Sequence, residues 1–342
     1  MTSAFNPELL VRAPIALAPV VLFLAALLHF DSYKLLRFRM VLTLMVVGAL
    51  AAGAAYPLNS YAYARYPGEF VAFSRYVSPW IEESLKALLL IFLIRTRRVG
   101  MPVDAGIAGF AIGTGFALVE NLYYLAMRPD AAVAVQIIRG FGTAIMHGGT
   151  ATLLGIISVG LHENRLSGGL QLFVPGLLAA IALHSGFNHL LARPELAMLA
   201  ILIALPLVIY FVFRRSELAL RTWLDSDLDS KVQLLESINR GTFLDSSSGR
   251  YLQSLRDCFE GEDLADMLCY VRLHGELALL AKGVLLLKES GLEVPPIDAE
   301  AREKLTELKA LERAIGKTGM LALRPLLMAT GKDFWQLRLL GR

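Results

Sequence analysis

The feature that most constrains this chain is a series of long apolar runs in its first 215 residues. Runs of about 17–22 apolar residues can cross a bilayer, because an α-helix rises 1.5 Å per residue and the hydrocarbon core is about 30 Å thick. The chain is 56% hydrophobic and only 18% charged, whereas soluble domains are about 25% charged. We therefore predict an all-α polytopic membrane protein. Its seven predicted transmembrane helices cover residues 14–30, 38–56, 79–94, 103–126, 141–161, 173–192 and 196–213.

The basic residues of the loops predict how these spans are oriented. Lys and Arg are enriched in cytoplasmic loops, and two basic clusters, over residues 95–98 and 214–215, fall on the same side of the predicted bundle. We therefore expect the N-terminus outside the cell and the C-terminal domain in the cytoplasm. The first run, 14–30, lacks the usual basic start of a signal peptide, so we expect a retained span.

The distribution of charge divides the chain into two predicted domains. Residues 1–215 contain 16 Lys/Arg and 10 Asp/Glu, whereas residues 216–342 contain 17 and 20. The first has the composition of a membrane domain, and the second that of a soluble helical domain. Long helices are predicted over 262–290 and 298–329, without a catalytic constellation. We interpret this second domain as a cytoplasmic regulatory or docking module. The net charge of +3 gives no indication of nucleic acid binding.

Several ionisable residues lie inside the predicted spans, where a charge costs about 2.5–3.5 kcal/mol on insertion scales. Among them are the carboxylates of Glu82, Glu83 and Glu120 and the imidazoles of His147 and His184. At 1.5 Å per residue, all of them fall roughly 4–12 Å from the outer boundary of the bundle. Because they share one depth on different helices, they predict a polar cavity in the outer half of the membrane.

Helical spacing adds two residues to this predicted cavity. Lys86 follows Glu82 at i+4 and Asn188 follows His184 at i+4, so each pair shares a helix face. A lysine in this place can neutralise one carboxylate and leave the other available for chemistry or for a metal.

Glycines in the fourth and fifth spans predict close helix packing around the cavity. A Gly-xxx-Gly step lets two helix backbones approach each other. The glycines concerned are Gly106, Gly109, Gly113, Gly140, Gly148, Gly149 and Gly155.

This combination of residues is typical of a hydrolytic enzyme. A buried carboxylate can act as general base on water, and Glu and His side chains can hold a zinc ion that lowers the pKa of its water to about 7. Asn and His can donate hydrogen bonds to a developing oxyanion. The alternatives are an ion- or proton-coupled transporter that uses the same buried charges, and a catalytically silent scaffold whose function lies in residues 216–342. No inverted repeat of the transporter kind is evident in the sequence.

The ordered motifs resemble the PrsW family of intramembrane proteases, which is similar to the type II CAAX prenyl endopeptidases and Abi proteins. The resemblance covers residues 78–191, about a third of the chain. In the wider group the first motif is usually EExxxR and the second FxxxH. Lys86 and Glu120 depart from both and point to the PrsW branch instead. The matching motifs are Glu82-Glu83-x-x-Lys86, Gly115-Phe116-x-x-x-Glu120-Asn121-x-x-Tyr124, His147 and His184-x-x-x-Asn188.

The resemblance implies an intramembrane endopeptidase of the bacterial inner membrane. It would cut a single-pass, membrane-anchored protein near the extracytoplasmic face, with an anti-sigma factor as the expected kind of substrate. Other expected partners are the lipid bilayer and a cytoplasmic partner of the C-terminal domain, with no nucleic acid. The catalytic candidates are Glu82, Glu83, Lys86, Glu120, His147, His184 and Asn188.

The resemblance also implies roles within this set. Glu82 and Glu83 correspond to the essential acidic pair of the family. Zinc is the candidate cofactor, and a metal-free mechanism with glutamate-activated water is the alternative. From the residues themselves, the candidate zinc ligands are Glu83, with Glu82 as its alternative, Glu120, His147 and His184.

Overall fold

The computed structural model describes residues 36–127, 132–162, 169–190 and 229–327, together with isolated positions elsewhere. Every regular element in these ranges is a helix, which confirms the predicted all-α class. The chain divides into two compact units. The N-terminal unit comprises Met1–His162 and Ser167–Ser216, and the C-terminal unit comprises Glu163–Leu166 and Glu217–Arg342.

The described helices of the N-terminal unit follow one another with short connections. A 3-10 turn, Leu170–Phe173, leads directly into the last of them. The helices are α1 (Phe38–Tyr63), α2 (Phe70–Tyr76), α3 (Ser78–Arg95), α4 (Pro102–Met127), α5 (Val133–His162) and α6 (Val174–Leu190).

Four stretches of this unit are long and apolar enough to cross a membrane, as expected of a membrane protein. They agree with the predicted spans at 38–56, 103–126, 141–161 and 173–192. The predicted span 79–94 is helical as α3, but it is not among the four, and it carries two glutamates and a lysine. The predicted spans 14–30 and 196–213 lie outside the continuously described residues, so the number of seven spans stays a prediction. The four stretches are Phe38–Tyr63, Pro102–Met127, Gly140–His162 and Leu170–His189.

Helix α4 is the central helix of the N-terminal unit. Its residues from Asp104 to Ala117 are all buried, and it packs against both α1 and α5. A helix that is apolar on all sides is expected at such a central position. Many of its residues are glycine or alanine, so the neighbouring backbones come close to it.

Two glycines of α4 make the closest of these contacts with α5. A Cβ atom built on Gly113 would lie 2.1 Å from the carbonyl oxygen of His147, and one on Gly109 would lie 2.3 Å from that of Ala151. No side chain fits at these distances, which confirms the close packing that the Gly-xxx-Gly step predicts. The contact at Gly113 also sets the position of His147.

We expect Gly113→Ala to lower the free energy of unfolding by about 1–3 kcal/mol, the usual cost of overpacking. The added methyl group forces α5 away from α4 and moves His147 with it, so proteolytic activity should fall as well. Denaturant unfolding of the detergent-solubilised protein measures the first effect. Gly160→Ala is the matched control, because a Cβ atom there meets nothing within 4 Å. Equal stability of the two variants would contradict the close packing.

The C-terminal unit is a helical bundle. Its two long helices, α9 and α10, pack against each other and agree with the predicted helices at 262–290 and 298–329. The placement of this unit in the cytoplasm stays a prediction. Its described helices are α7 (229–239), α8 (Ser247–Ser254), α9 (Gly261–Glu289) and α10 (Ala299–Leu327).

Two local features of the C-terminal unit shape this pair of helices. Gly316 has φ 70° and interrupts α10, which the sequence predicted as one continuous helix. A glycine adopts this left-handed backbone without steric cost. Between the helices, Lys304 Nζ lies 2.9 Å from Glu276 Oε2. Partial burial alone would raise the pKa of Glu276, but hydrogen bonds from Lys304 and Arg272 outweigh it and lower the pKa.

Candidate active site

The acidic pair lies one turn into α3, and its second member is paired with a lysine. Glu83 and Lys86 are both fully buried, and Lys86 Nζ donates a hydrogen bond of 2.6 Å to Glu83 Oε1. The ammonium group also lies 5.1 Å from the ring centroid of Phe116. Because a buried charge is stable only when it is paired, Lys86 neutralises Glu83. The sequence left open which of the two glutamates it restrains.

Lys86 also fastens α3 to α5. Its ammonium group has three N–H donors, and it lies 3.0 Å from His147 Nδ1 and 3.4 Å from Thr150 Oγ1. Thr150 in turn donates to Glu83 Oε1 at 3.1 Å. Thr150 is not conspicuous in the sequence, because a threonine in an apolar helix usually bonds to its own backbone.

His184 of α6 bridges the two glutamates. Its Nδ1 lies 2.7 Å from Glu83 Oε1, and its Nε2 lies 3.8 Å from Glu82 Oε2. A carboxylate can only accept a hydrogen bond, so Nδ1 is the donor, and Nε2 of the neutral ring carries the lone pair. The lone pair therefore faces the side on which Glu82 lies. Glu83 Oε2 is buried and has no partner within the described part of the chain.

His147 of α5 links this buried core to a more exposed carboxylate. Its Nε2 lies 2.5 Å from Glu120 Oε2, while its Nδ1 faces Lys86. Lysine only donates, so the proton of the neutral His147 ring is on Nε2 and is donated to Glu120. The side chain of Glu120 is 38% exposed, whereas that of His147 is 1% exposed. Glu120 therefore lies at the rim of the cluster.

Glu82 is held by two residues outside the predicted site, Ser78 and Asn59. Its Oε1 accepts hydrogen bonds from Ser78 Oγ at 2.6 Å and from Asn59 Nδ2 at 3.0 Å. Polar residues near helix ends usually cap helices or face the membrane interface, so neither was distinctive in the sequence.

Asn188 lies apart from the cluster, unlike the other predicted catalytic residues. Its Nδ2 donates to the carbonyl oxygen of Ser74 at 2.9 Å, and nearby Ser185 Oγ donates to that of Arg75 at 2.7 Å. These carbonyl groups belong to the last turn of α2, where a helix leaves its C=O groups without partners of its own. Asn188 thus anchors α2 on α6.

Comparison of the sequence with models of known protein families identifies the family of this chain. The model described as PrsW family intramembrane metalloprotease matches residues 37–213. The chain belongs to this family. No curated protein and no solved structure matches the chain significantly. The matched range contains every residue of the site, so the protein is a membrane-embedded protease, and the transporter alternative is not favoured.

Three residues of this PrsW-family site are placed to hold a metal ion. Glu82, His147 and His184 each offer a ligand atom within 4.8 Å of the others. Glutamate oxygen and histidine nitrogen are usual zinc ligands. Glu83 and Glu120 were also predicted from the sequence as ligands. In the structure Glu83 contacts His184 and Glu120 contacts His147, as do the carboxylates that orient metal-bound histidines in known sites. Their role as metal ligands stays a prediction.

The donor set of one glutamate and two histidines fits a divalent cation in this PrsW-family site. Coordination by His147 has one requirement. Both of its ring nitrogens have partners, so it must release Lys86 or Glu120 to bind a metal. If it releases Lys86, the lysine keeps Glu83 and Thr150 as partners.

Proposed function

We propose that this protein is an endopeptidase that hydrolyses a peptide bond of a single-pass membrane protein near the extracytoplasmic face of a bacterial inner membrane. Membership of the PrsW family supports the protease activity. The observation that carries the proposal is one polar cluster between apolar helices. In it, His184 contacts Glu82 and Glu83, His147 contacts Glu120, and Lys86 links Glu83 to His147. We further propose an anti-sigma factor as the kind of substrate, since the family resemblance implies it.

The residues at the two ends of α3 support cleavage on the extracytoplasmic side of the membrane. Glu82 and Glu83 are close to the N-terminal end of this helix, whereas Arg95 is its last residue. Basic residues favour the cytoplasmic end of a span. The site would then lie toward the extracytoplasmic face. With seven spans, the C-terminal unit would lie in the cytoplasm, where it would dock a regulatory partner.

Aromatic side chains support a position of the site near a membrane interface. Tyr56, Tyr61 and Trp80 are all more than half exposed. Tyr56 and Tyr61 belong to the last turns of α1, and Trp80 to the first turn of α3, two residues before Glu82. Trp and Tyr are enriched where a membrane protein meets the headgroups. The peptide bond to be cut would thus be near the end of the substrate's span.

The residues of the cluster would divide the chemistry among themselves. Glu82, His147 and His184 would hold zinc, which when bound supplies a Lewis acid for the peptide carbonyl group. Glu83 would orient His184 through its Nδ1–H. Glu120, at the exposed rim, would take a proton from the attacking water and pass it to the leaving amine, as general acid–base catalysis requires. Asn188 would act by anchoring α2, since its amide already donates to Ser74.

The proposal is tested with purified protein in liposomes and a single-pass substrate that has a tag at each end. We expect two fragments, with the cut in the outer half of the span or just beyond it, as located by mass spectrometry. A zinc chelator should abolish cleavage, because the ligands without metal lack a Lewis acid, and added Zn²⁺ should restore it. Cleavage by demonstrably zinc-free protein would rule out the metal role. A cut on the cytoplasmic side would rule out the orientation.

A further inference from the structure

Glu82 is held by two donors that converge on one of its oxygens. Ser78 Oγ and Asn59 Nδ2 both bind Oε1, at 2.6 Å and 3.0 Å. The carboxylate can only accept, so the serine hydroxyl group and the amide nitrogen of Asn59 are the donors. Among the residues that the structure describes, none donates a hydrogen bond to Oε2. That oxygen instead faces His184 Nε2 at 3.8 Å.

The two donors come from different parts of the fold. Ser78 lies one turn before Glu82 at the start of α3, and its hydroxyl group binds this side chain although the N-terminus of α3 has no side-chain cap. Asn59 comes from the last turns of α1, 23 residues earlier in the chain. Hydrogen bonds from two helices fix the rotation of the carboxylate group. The orientation of Oε2 toward His184 is therefore built into the packing of α1 against α3.

Charge separates the two neighbouring glutamates. Glu83 is paired with the ammonium group of Lys86, and the side chains of both are fully buried. The donors to Glu82, in contrast, are an amide and a hydroxyl group, which carry no charge. Glu82 is thus held in place without an ion pair to Lys86, so its negative charge stays available to a metal ion. Cationic partners in place of Asn59 or Ser78 would compete with that ion.

We propose that Asn59 and Ser78, the Glu82 clamp, are positioning residues of the proteolytic site. They hold Oε1 so that Oε2 completes the metal-binding group with His147 and His184. This inference rests on the proposed function, because it assigns Glu82 to the metal. It adds to the family motifs a residue on α1 and one at the start of α3.

The experiment measures Zn²⁺ affinity and cleavage kinetics of the full-length protein in detergent. Zn²⁺ affinity is obtained by competition with a chromophoric chelator. We expect Asn59→Ala and Ser78→Ala each to weaken Zn²⁺ binding about 10- to 100-fold, as is usual for residues that orient metal ligands. The kcat should fall while KM stays unchanged, since neither residue binds the substrate. Ser78→Thr keeps the hydroxyl group and should restore both values.

Ser60→Ala is the matched control for the clamp variants. Ser60 is the neighbour of Asn59, is exposed, and donates only to the backbone of Tyr56. It should bind Zn²⁺ as the wild type does. If Asn59→Ala does not fold, the comparison of Ser78→Ala with Ser78→Thr decides the question alone. If the wild type is active and the clamp variants keep its Zn²⁺ affinity and kcat, the role of the clamp is overturned and the proposed function is not. A folded wild type that neither binds Zn²⁺ nor cleaves would overturn the proposed function and the clamp together.

Discussion

Lys86→Met is expected to lower the free energy of unfolding of the N-terminal unit by about 3–5 kcal/mol, the usual cost of breaking a buried ion pair. The fully buried Glu83 would lose its counterion, and His147 and Thr150 would lose a donor. Methionine is unbranched and only one atom shorter than lysine, so the loss reports on charge more than on packing. Denaturant unfolding in detergent micelles measures the change.

A double variant separates the charge from other effects of the substitution. Glu83→Gln combined with Lys86→Met leaves no unpaired charge, so it should be more stable than Lys86→Met alone. Arg240→Met is the control, because its partner Glu236 and the arginine are both more than half exposed. Such a surface pair contributes about 0–1 kcal/mol. An effect of Lys86→Met no larger than that of Arg240→Met would show that the buried pair does not stabilise the unit.

Glu82→Gln is expected to abolish most proteolytic activity and to leave stability unchanged. Loss of a residue that orients a metal ligand costs about 10- to 100-fold, so loss of the proposed ligand itself should cost more. The glutamine side chain can still accept the hydrogen bonds of Ser78 and Asn59, so the fold is kept. The initial rate of substrate cleavage and the thermal melting temperature are the two measurements.

The neighbouring glutamate provides the matched comparison. Glu83→Gln leaves Lys86 buried without its counterion and should lower the melting temperature as well as the activity. The account therefore predicts that two identical substitutions at adjacent positions have different effects. Full activity of Glu82→Gln, or equal melting temperatures of the two variants, would count against the division of roles between Glu82 and Glu83.

Much of this site could be predicted because charge inside an apolar helix is rare. The cost of burying Glu82, Glu83 and Glu120 made them conspicuous, and helical rise placed them at the depth of His147 and His184. The four candidate spans were recognisable from their length and apolar composition. The glycines of α4 indicated where two helices come into contact. The depth of a charged residue and the place of a glycine both depend on position along a helix, and this position can be read directly from the sequence.

The pairing within the site could not be predicted, because it depends on how the helices are rotated against each other. Spacing allowed Lys86 to pair with Glu82 at i+4, but the lysine binds Glu83 at i+3. Spacing also placed Asn188 on the face of His184, yet its amide donates to a carbonyl group of α2. Asn59 comes from a helix outside the motifs, so only the packing of α1 against α3 reveals its bond to Glu82.

The rate of cleavage of a single-pass membrane substrate tests the central claim most directly. Purified wild type and His184→Ala are compared in the same liposomes, at equal amounts of folded protein. His184 joins Glu83 to the group that would hold the metal, and its side chain is almost fully buried. The account predicts two fragments from the wild type and none from His184→Ala. Cleavage by His184→Ala at the wild-type rate would contradict it.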